Sequence, residues 1–252
     1  MASWKALILA AGEGTRLRPL TLDRPKPMVP VHGKPVIGHI VEWLRDHDVR
    51  EIAVNLHYRP ERLVAYLGDG RAHGVRIRYS HEDPVLGTAG AVRHLADFWG
   101  EDPFLVVYGD VLTDLDLTAL QAAHAHHRET DPRTAATLAL YRVDNPTEVG
   151  LVELDPRGRI RRFVEKPQPH QVFTDLANAG VLVMEPTVLS QIPPGRFYDF
   201  GLHLFPELLR QEIPLYGWVV PPGTRVLDIG TPDRYALAQR IWPTPHPEPP
   251  LP

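Results

Sequence analysis

Four apolar runs with strand character, Trp4 to Leu9, Glu51 to Leu56, Val75 to Ser80 and Phe104 to Tyr108, alternate with segments of helical periodicity through the first half of the chain. Between Pro35 and Asp46 the apolar residues Val36, Ile37, Ile40, Val41 and Leu44 mark one helical face, and helices are also predicted over Pro60 to Leu67 and about Thr88 to Asp97. Strands separated by helices are joined by crossovers rather than hairpins. The alternation therefore predicts an α/β chain with a Rossmann-like, mostly parallel central sheet and helices on both faces. In such sheets ligands bind beyond the carboxyl ends of the strands.

The first strand runs into Leu9-Ala10-Ala11-Gly12-Glu13-Gly14-Thr15-Arg16, and a lysine, Lys26, follows ten residues later. Glycines let the backbone approach a charged oxygen closely, and consecutive backbone N–H groups in such a loop form an anion-binding concavity. Arg16 and Lys26 add the full positive charge that amides lack. The loop is not a P-loop, because no Lys-Ser/Thr pair follows the second glycine. Nor is it the dinucleotide fingerprint, because the third glycine is missing.

A net charge of −4 over 252 residues argues against a nucleic-acid partner, and the absence of cysteine removes disulfides and thiolate metal sites. No signal peptide or bilayer-spanning run is legible, so no membrane partner and a cytoplasmic location are expected. Residues 1–242 are expected to form one domain and 243–252 an extended proline-rich tail. Beyond Asp110 the rhythm changes. A helix is predicted from Leu117 to Arg128, strands at Thr134 to Val143, Leu151 to Leu154, Arg159 to Glu165 and Ala179 to Met184, a helix near Leu204 to Gln211, strands at Tyr216 to Val220 and Arg225 to Ile229, and a helix at Pro232 to Ile241. The cluster His124, His126 and His127 lies on a polar helix end with no carboxylate partner evident in sequence, which disfavours a metal site there.

Leu-Ala-Ala-Gly-x-Gly-Thr-Arg-Leu-x-Pro-Leu-Thr from Leu9, followed by Arg24-Pro25-Lys26-Pro27-Met28-Val29-Pro30-Val31, closely resembles the signature of the sugar-1-phosphate nucleotidylyltransferases. The resemblance continues at Glu82 to Gly90, at Phe104 to Asp110, at Glu148-Val149-Gly150, at Val164-Glu165-Lys166-Pro167, at Asn178-Ala179-Gly180 and at Leu227 to Pro232. It implies the nucleotide-diphospho-sugar transferase type of fold and a reaction in which a sugar-1-phosphate oxygen attacks the α-phosphorus of a nucleoside triphosphate, releasing pyrophosphate.

By this resemblance Arg16 and Lys26 are the catalytic cations, steadying the leaving pyrophosphate and bridging the two phosphates. The nucleotide would be held by Leu9, Ala11, Gly12, Glu13, Gly14, Thr15, Glu82, Gly87, Thr88 and Asp110. The sugar phosphate would be held by Gly150, Glu165, Lys166 and Asn178. Asp110 and Asp228 would hold Mg²⁺. Taken singly, several of these residues read equally well as structure: Asp110 as a turn cap, Asp228 as part of a helix start, Lys166 and Glu165 as a surface pair, Asn178 as a turn residue. Their joint occurrence in family order favours the functional reading.

Glu82 and Gly87-Thr88-Ala89-Gly90 depart from the Gln and Gly-Leu-Ala-Gln run usual in thymidylyltransferases and resemble the mannose-1-phosphate guanylyltransferase branch. A carboxylate at Glu82 is suited to accept from the N1–H and amino group of guanine. GTP with mannose-1-phosphate, or a related hexose or heptose phosphate, is therefore the leading expectation. UTP or dTTP with glucose- or N-acetylmuramate-1-phosphate, and a catalytically silent nucleotide-sugar-binding regulator, are the alternatives. The family often carries Trp where Val226 stands, so a different floor to the sugar pocket is expected, and a homodimer is compatible with the family.

Overall fold

The computed structural model describes Trp4–Pro243; the rest of the predicted proline-rich tail lies outside the described residues. The first strand, Lys5–Leu9, lies inside a nine-stranded sheet. It pairs in parallel with Glu51–Leu56 on one side and Phe104–Tyr108 on the other, and Glu51–Leu56 pairs in parallel with Arg76–His81. The chain thus leaves the first strand toward one edge and returns on its opposite side at Phe104–Tyr108. Crossovers that diverge from two neighbouring strands open a crevice at their carboxyl ends. The glycine loop follows Leu9 and Asp110 follows Tyr108, so both fall in this crevice. Gly109 permits it: its N–H donates to the Leu9 carbonyl at 3.0 Å, and a Cβ there would lie 2.5 Å from the same oxygen.

The three inner strands of this half, Lys5–Leu9, Glu51–Leu56 and Phe104–Tyr108, are buried on both faces, as parallel strands covered on both sides must be, whereas the edge strand Arg76–His81 is largely exposed. Their period-two alternation divides the side chains between two cores. Ala6, Ile8, Leu105 and Val107 join the core that includes Val36, Ile40 and Leu44 of helix Val36–Asp46, Leu63 of helix Pro60–Leu67, and Leu120 of helix Leu117–Thr130. Leu7, Phe104 and Val106 join the other, with Ala91 and Val92 of helix Gly87–His94 and Leu208 of helix Phe205–Arg210. Helices accordingly cover both faces. The segment predicted as one helix from Thr88 to Asp97 is two, Gly87–His94 and Ala96–Trp99, interrupted at Leu95. The break lets Trp99 stack on Phe104 at 4.0 Å.

Beyond Asp110 the added pairings are mostly antiparallel, and the sheet as a whole is mixed. Leu176–Met184 is the hub: it pairs with Phe104–Tyr108, with Ala136–Arg142 and, at Ala177, with Gly150–Leu154. Gly150–Leu154 continues to Ile160–Glu165, while Leu215–Val219 adds in parallel to Ala136–Arg142. The strand predicted to start at Ala179 begins three residues earlier, with Leu176 opposite Arg142, and its register shifts between Asn178 and Leu182. Such a bulge re-aims side chains; here Gly180 has φ +72° and its N–H donates to Asn178 Oδ1 at 3.0 Å. Among the described residues no helix is long and apolar enough to cross a membrane.

The histidine cluster has a structural use and a carboxylate partner that the sequence concealed. His124 is buried between Thr137 Oγ1, 3.0 Å from its Nδ1, and Glu185 Oε1, 2.9 Å from its Nε2. His127 stacks on Tyr216 with ring centroids 4.3 Å apart.

Candidate active site

Asp110 and Asp228, far apart in sequence, meet because Val111–Thr113 and Val226–Asp228 form a two-stranded antiparallel ribbon with Val111 opposite Asp228. The Ile229 N–H donates to the Asp110 carbonyl at 3.0 Å and closes the arrangement. Lys26 reaches the same point from the turn Lys26–Met28. Its ammonium pairs with Asp110 Oδ2 and lies 3.6 Å from Asp228 Oδ1. Two glycines make room for it. At Gly14, where φ is +65°, a Cβ would lie 2.9 Å from Lys26 Cβ; at Gly230 a Cβ would lie 3.0 Å from Lys26 Nζ and 3.2 Å from Arg16 Nη2. Both cations therefore crowd the same backbone beside Asp228.

Two cavities open on either side of this cluster. The larger, about 520 Å³, is walled by Leu9, Ala11, Gly12 and Glu13 of the glycine loop, by Lys26 and Asp110, and across from them by Glu82, Gly87 and Thr88. A Cβ at Gly12 would meet no atom within 4 Å, so this turn of the loop is open. Gly14 and Thr15 sit behind the wall: the Gly14 carbonyl accepts from Thr21 Oγ1 at 2.8 Å, and Thr15 opens the short turn Thr15–Leu17. The smaller cavity, about 140 Å³, is lined by Arg16, Gly150, Glu165, Lys166, Asn178 and Asp228. Val226 lies in its wall, at the place where a different pocket floor was expected. Tyr108 and Asp110 border both cavities, so the two meet at the end of strand Phe104–Tyr108.

Glu165 shares the smaller cavity with the carboxylates Asp110, Glu148 and Asp228. A Cβ at either Gly150 or Gly201 would lie 2.7 Å from its Oε2, so two glycines from different elements leave just the width of this side chain. Burial raises its pKa, Lys166 opposes that rise and Asp199 adds to it. Tyr108 is likewise pushed well above the ordinary phenol value, by burial first and then by the charges of Asp199, Glu165 and Asp110, so it stays a neutral hydroxyl. Lys166 holds φ +46°, a left-handed conformation uncommon for a non-glycine residue, and its half-exposed side chain sits 4.0 Å from Glu165.

Several residues of the site were not among those the motifs assigned to it. Asp199 lines the larger cavity; its Oδ2 accepts from Thr88 Oγ1 at 2.9 Å and its Oδ1 from the Gly201 N–H at 2.9 Å. Arg234 forks between Asp228 Oδ2 at 2.8 Å and Glu148 Oε2 at 3.3 Å. Asn55 also lines the larger cavity, and a polar residue inside the apolar run Ile52-Ala53-Val54-Asn55-Leu56 was the one sequence signal of it. The environment of Glu82 departs from the expectation of a free base-reading carboxylate. It is 4% exposed, with Oε1 accepting from Asn55 Nδ2 and Oε2 from the Leu86 N–H, each at 2.9 Å. Both oxygens already serve the protein.

Among the described residues, no group of three or more His, Cys, Asp or Glu side chains is placed to hold a metal ion. Asp110 and Asp228 nonetheless converge on a single cation, the Lys26 ammonium. Two carboxylate donors of this kind suit Mg²⁺, which completes its octahedron with water and substrate phosphates.

Residues 5–242 match the family model described as Nucleotidyl transferase. The UTP–glucose-1-phosphate uridylyltransferase of Synechocystis sp. is 38% identical over 84% of this chain and 57% of its own length. The mannose-1-phosphate guanylyltransferase of Mycobacterium tuberculosis is 36% identical over 95% of this chain and 66% of its own. The chain thus spans less than two thirds of the length of either curated relative. Among solved structures, HddC from Yersinia pseudotuberculosis superposes with a TM-score of 0.77 at 25% identity, covering 94% of this chain and 98% of that one. With the family match running through the glycine loop, both aspartates and both cavities, the chain belongs to the nucleotidyl transferase family.

Proposed function

We propose that the chain joins a sugar-1-phosphate to a nucleoside triphosphate, giving a nucleotide-sugar and pyrophosphate. The observation that carries this reading is the meeting of two cavities at one charged junction, with Lys26 between Asp110 and Asp228. Both reactants are anions, so bringing a sugar phosphate oxygen onto the α-phosphorus is a problem of neutralisation and alignment, and no protein nucleophile is needed. The open glycine loop offers amides to the triphosphate from one side. Arg16, bordering the smaller cavity, steadies negative charge from the other. Lys26 lies where the two phosphates would meet. Glu165, neighboured by the neutral Tyr108 hydroxyl and by Asn178, accepts hydroxyl donors from the sugar. Asp110 and Asp228 are the residues to hold Mg²⁺, which when bound would neutralise phosphate charge and orient the triphosphate.

GTP with mannose-1-phosphate, or a related hexose or heptose phosphate, is our first assignment, supported by similarity to the mycobacterial guanylyltransferase along nearly the whole chain. The cyanobacterial relative supports the same reaction with UTP and glucose-1-phosphate as the second reading. A cytoplasmic homodimer fits either. The test is pyrophosphate release with GTP, UTP, dTTP, ATP and CTP crossed against a panel of sugar-1-phosphates, with and without Mg²⁺. No turnover with any pair refutes the enzyme, and binding of a nucleotide-sugar without turnover marks a regulatory homologue instead. Lys26→Ala should lower turnover roughly a hundred- to a thousandfold in a folded protein, as loss of a charge-stabilising donor does; a wild-type rate refutes its role.

A further inference from the structure

In the wall of the larger cavity, Asn55 and Glu82 are 3% and 4% exposed and spend their polar atoms on one another and on two backbone amides. Asn55 Oδ1 accepts from the Ala10 N–H at 2.6 Å, and Asn55 Nδ2 donates to Glu82 Oε1 at 2.9 Å. Glu82 Oε2 accepts from the Leu86 N–H at 2.9 Å. The run crosses the carboxyl ends of three adjacent parallel strands, starting where the glycine loop begins and ending where helix Gly87–His94 begins.

The polarity of each bond is fixed by its ends. A backbone N–H can only donate, so Ala10 turns the oxygen of the Asn55 amide toward the loop and its NH₂ toward Glu82. Leu86 also can only donate. Position 82 therefore faces two donors and must present two acceptors. A glutamate does so; a glutamine of the same shape has one acceptor and sets its own NH₂ against one of the donors.

We propose that Asn55 and Glu82 form a positioning relay that fixes the separation between the glycine loop and the Leu86–Thr88 segment, and that the Glu82 carboxylate holds this frame instead of reading the base. The proposal rests on the nucleotide assignment of the larger cavity. Beyond Leu86 the frame continues through Thr88, whose Oγ1 donates to Asp199 Oδ2 at 2.9 Å and accepts from the Phe200 N–H at 2.8 Å. The two walls of the nucleotide cavity are thereby tied to each other through buried, directional bonds.

The test is an exchange of the charge along the relay. Glu82→Gln alone opposes two donors, and Asn55→Asp alone opposes two carboxylates. Together they rebuild every bond: a carboxylate at 55 accepts from Ala10 and from the side-chain amide at 82, whose oxygen accepts from Leu86. Thermal unfolding of the two single variants and the double variant is measured without nucleotide, and binding of GTP, UTP and dTTP by titration. Each single change is expected to lower Tm by roughly 5 °C and to weaken nucleotide binding about tenfold, the size of one unsatisfied buried partner. The double variant should regain most of both losses and keep the wild-type order of preference among the three nucleotides. Losses that add in the double variant, or a changed base order when the charge moves from 82 to 55, overturn the relay. Failure of the wild-type chain to bind any of the three overturns the nucleotide reading of the cavity itself, and the unfolding cycle separates that outcome from a failure of the relay alone.

Discussion

Gly150→Ala places a single methyl group in the wall of the cavity assigned to the sugar. Its Cβ would stand 2.5 Å from Phe163 Cζ and 2.7 Å from Glu165 Oε2, where ordinary contact begins at 3.4 Å. Neither neighbour can give way freely. The Phe163 ring packs edge-on against Phe205 at 5.0 Å, and the Glu165 carboxylate is confined on its other side by Gly201. Overpacking of this kind costs about 1–3 kcal/mol, which, expressed through the displaced Glu165, is a loss of about 5- to 150-fold in kcat/KM for the sugar-1-phosphate. Gly150, Phe163 and Glu165 do not line the cavity assigned to the nucleotide, so KM for the nucleoside triphosphate should hold steady. Steady-state pyrophosphate release, with each substrate varied against saturating amounts of the other, separates the two effects. An unchanged sugar-1-phosphate dependence, or equal losses for both substrates, would refute the assignment of Glu165 to the sugar.

Two further changes probe the surroundings of the junction. Arg234→Ala removes the fork between Asp228 and Glu148 and should reduce turnover about tenfold, because a partly buried carboxylate that loses its charged partner loses a charge-assisted bond and a fixed orientation. Arg234→Lys should recover a part of this, since an ammonium cannot span both carboxylates as a planar guanidinium does; full recovery would show that charge alone matters. Away from the site, burial, with His124 and His126 nearby, pushes the His127 pKa down to about 4, against about 6.5 in an unfolded chain. Between those values the unfolded state takes up a proton that the folded state refuses, so stability should fall as pH drops from about 6.5 to about 4 and level off below. The size is on the order of 1–2 kcal/mol once the half-buried position is discounted for solvent screening. His127→Phe, which keeps an aromatic ring against Tyr216, should flatten that part of the stability–pH curve in chemical denaturation; an unchanged slope would assign it to other groups.

Much of the fold was legible because its causes are local. Apolar runs buried on both faces announce parallel strands, the Val36 to Leu44 stripe announces its helix, and the order of strands and helices places the glycine loop at a strand end. The landmarks after Asp110 were readable as motifs but not as geometry. Asn178-Ala179-Gly180 is a bulge that re-aims a side chain, a fact about register between strands that neither strand's own sequence contains. The helix break at Leu95 answers to the stacking of Trp99 on Phe104, and the partner of His124, Glu185, lies on a distant segment.

The sequence by itself determined the α/β class, the charged loop at the end of the first strand, and the set of cations and carboxylates that phosphate chemistry requires. The class and the loop follow from periodicity and residue type, which each segment carries alone; the carboxylates were legible only through the resemblance of their motifs to a known family. Only the tertiary structure decided which of them meet. The ribbon between Val111–Thr113 and Val226–Asp228 brings Asp228 to Asp110, the missing Cβ atoms of Gly14 and Gly230 admit Lys26 and Arg16, and the buried donors Asn55 and Leu86 take the carboxylate of Glu82. Each of these depends on how closely two remote backbones approach and which way a donor points, and such distances exist only after the chain has packed.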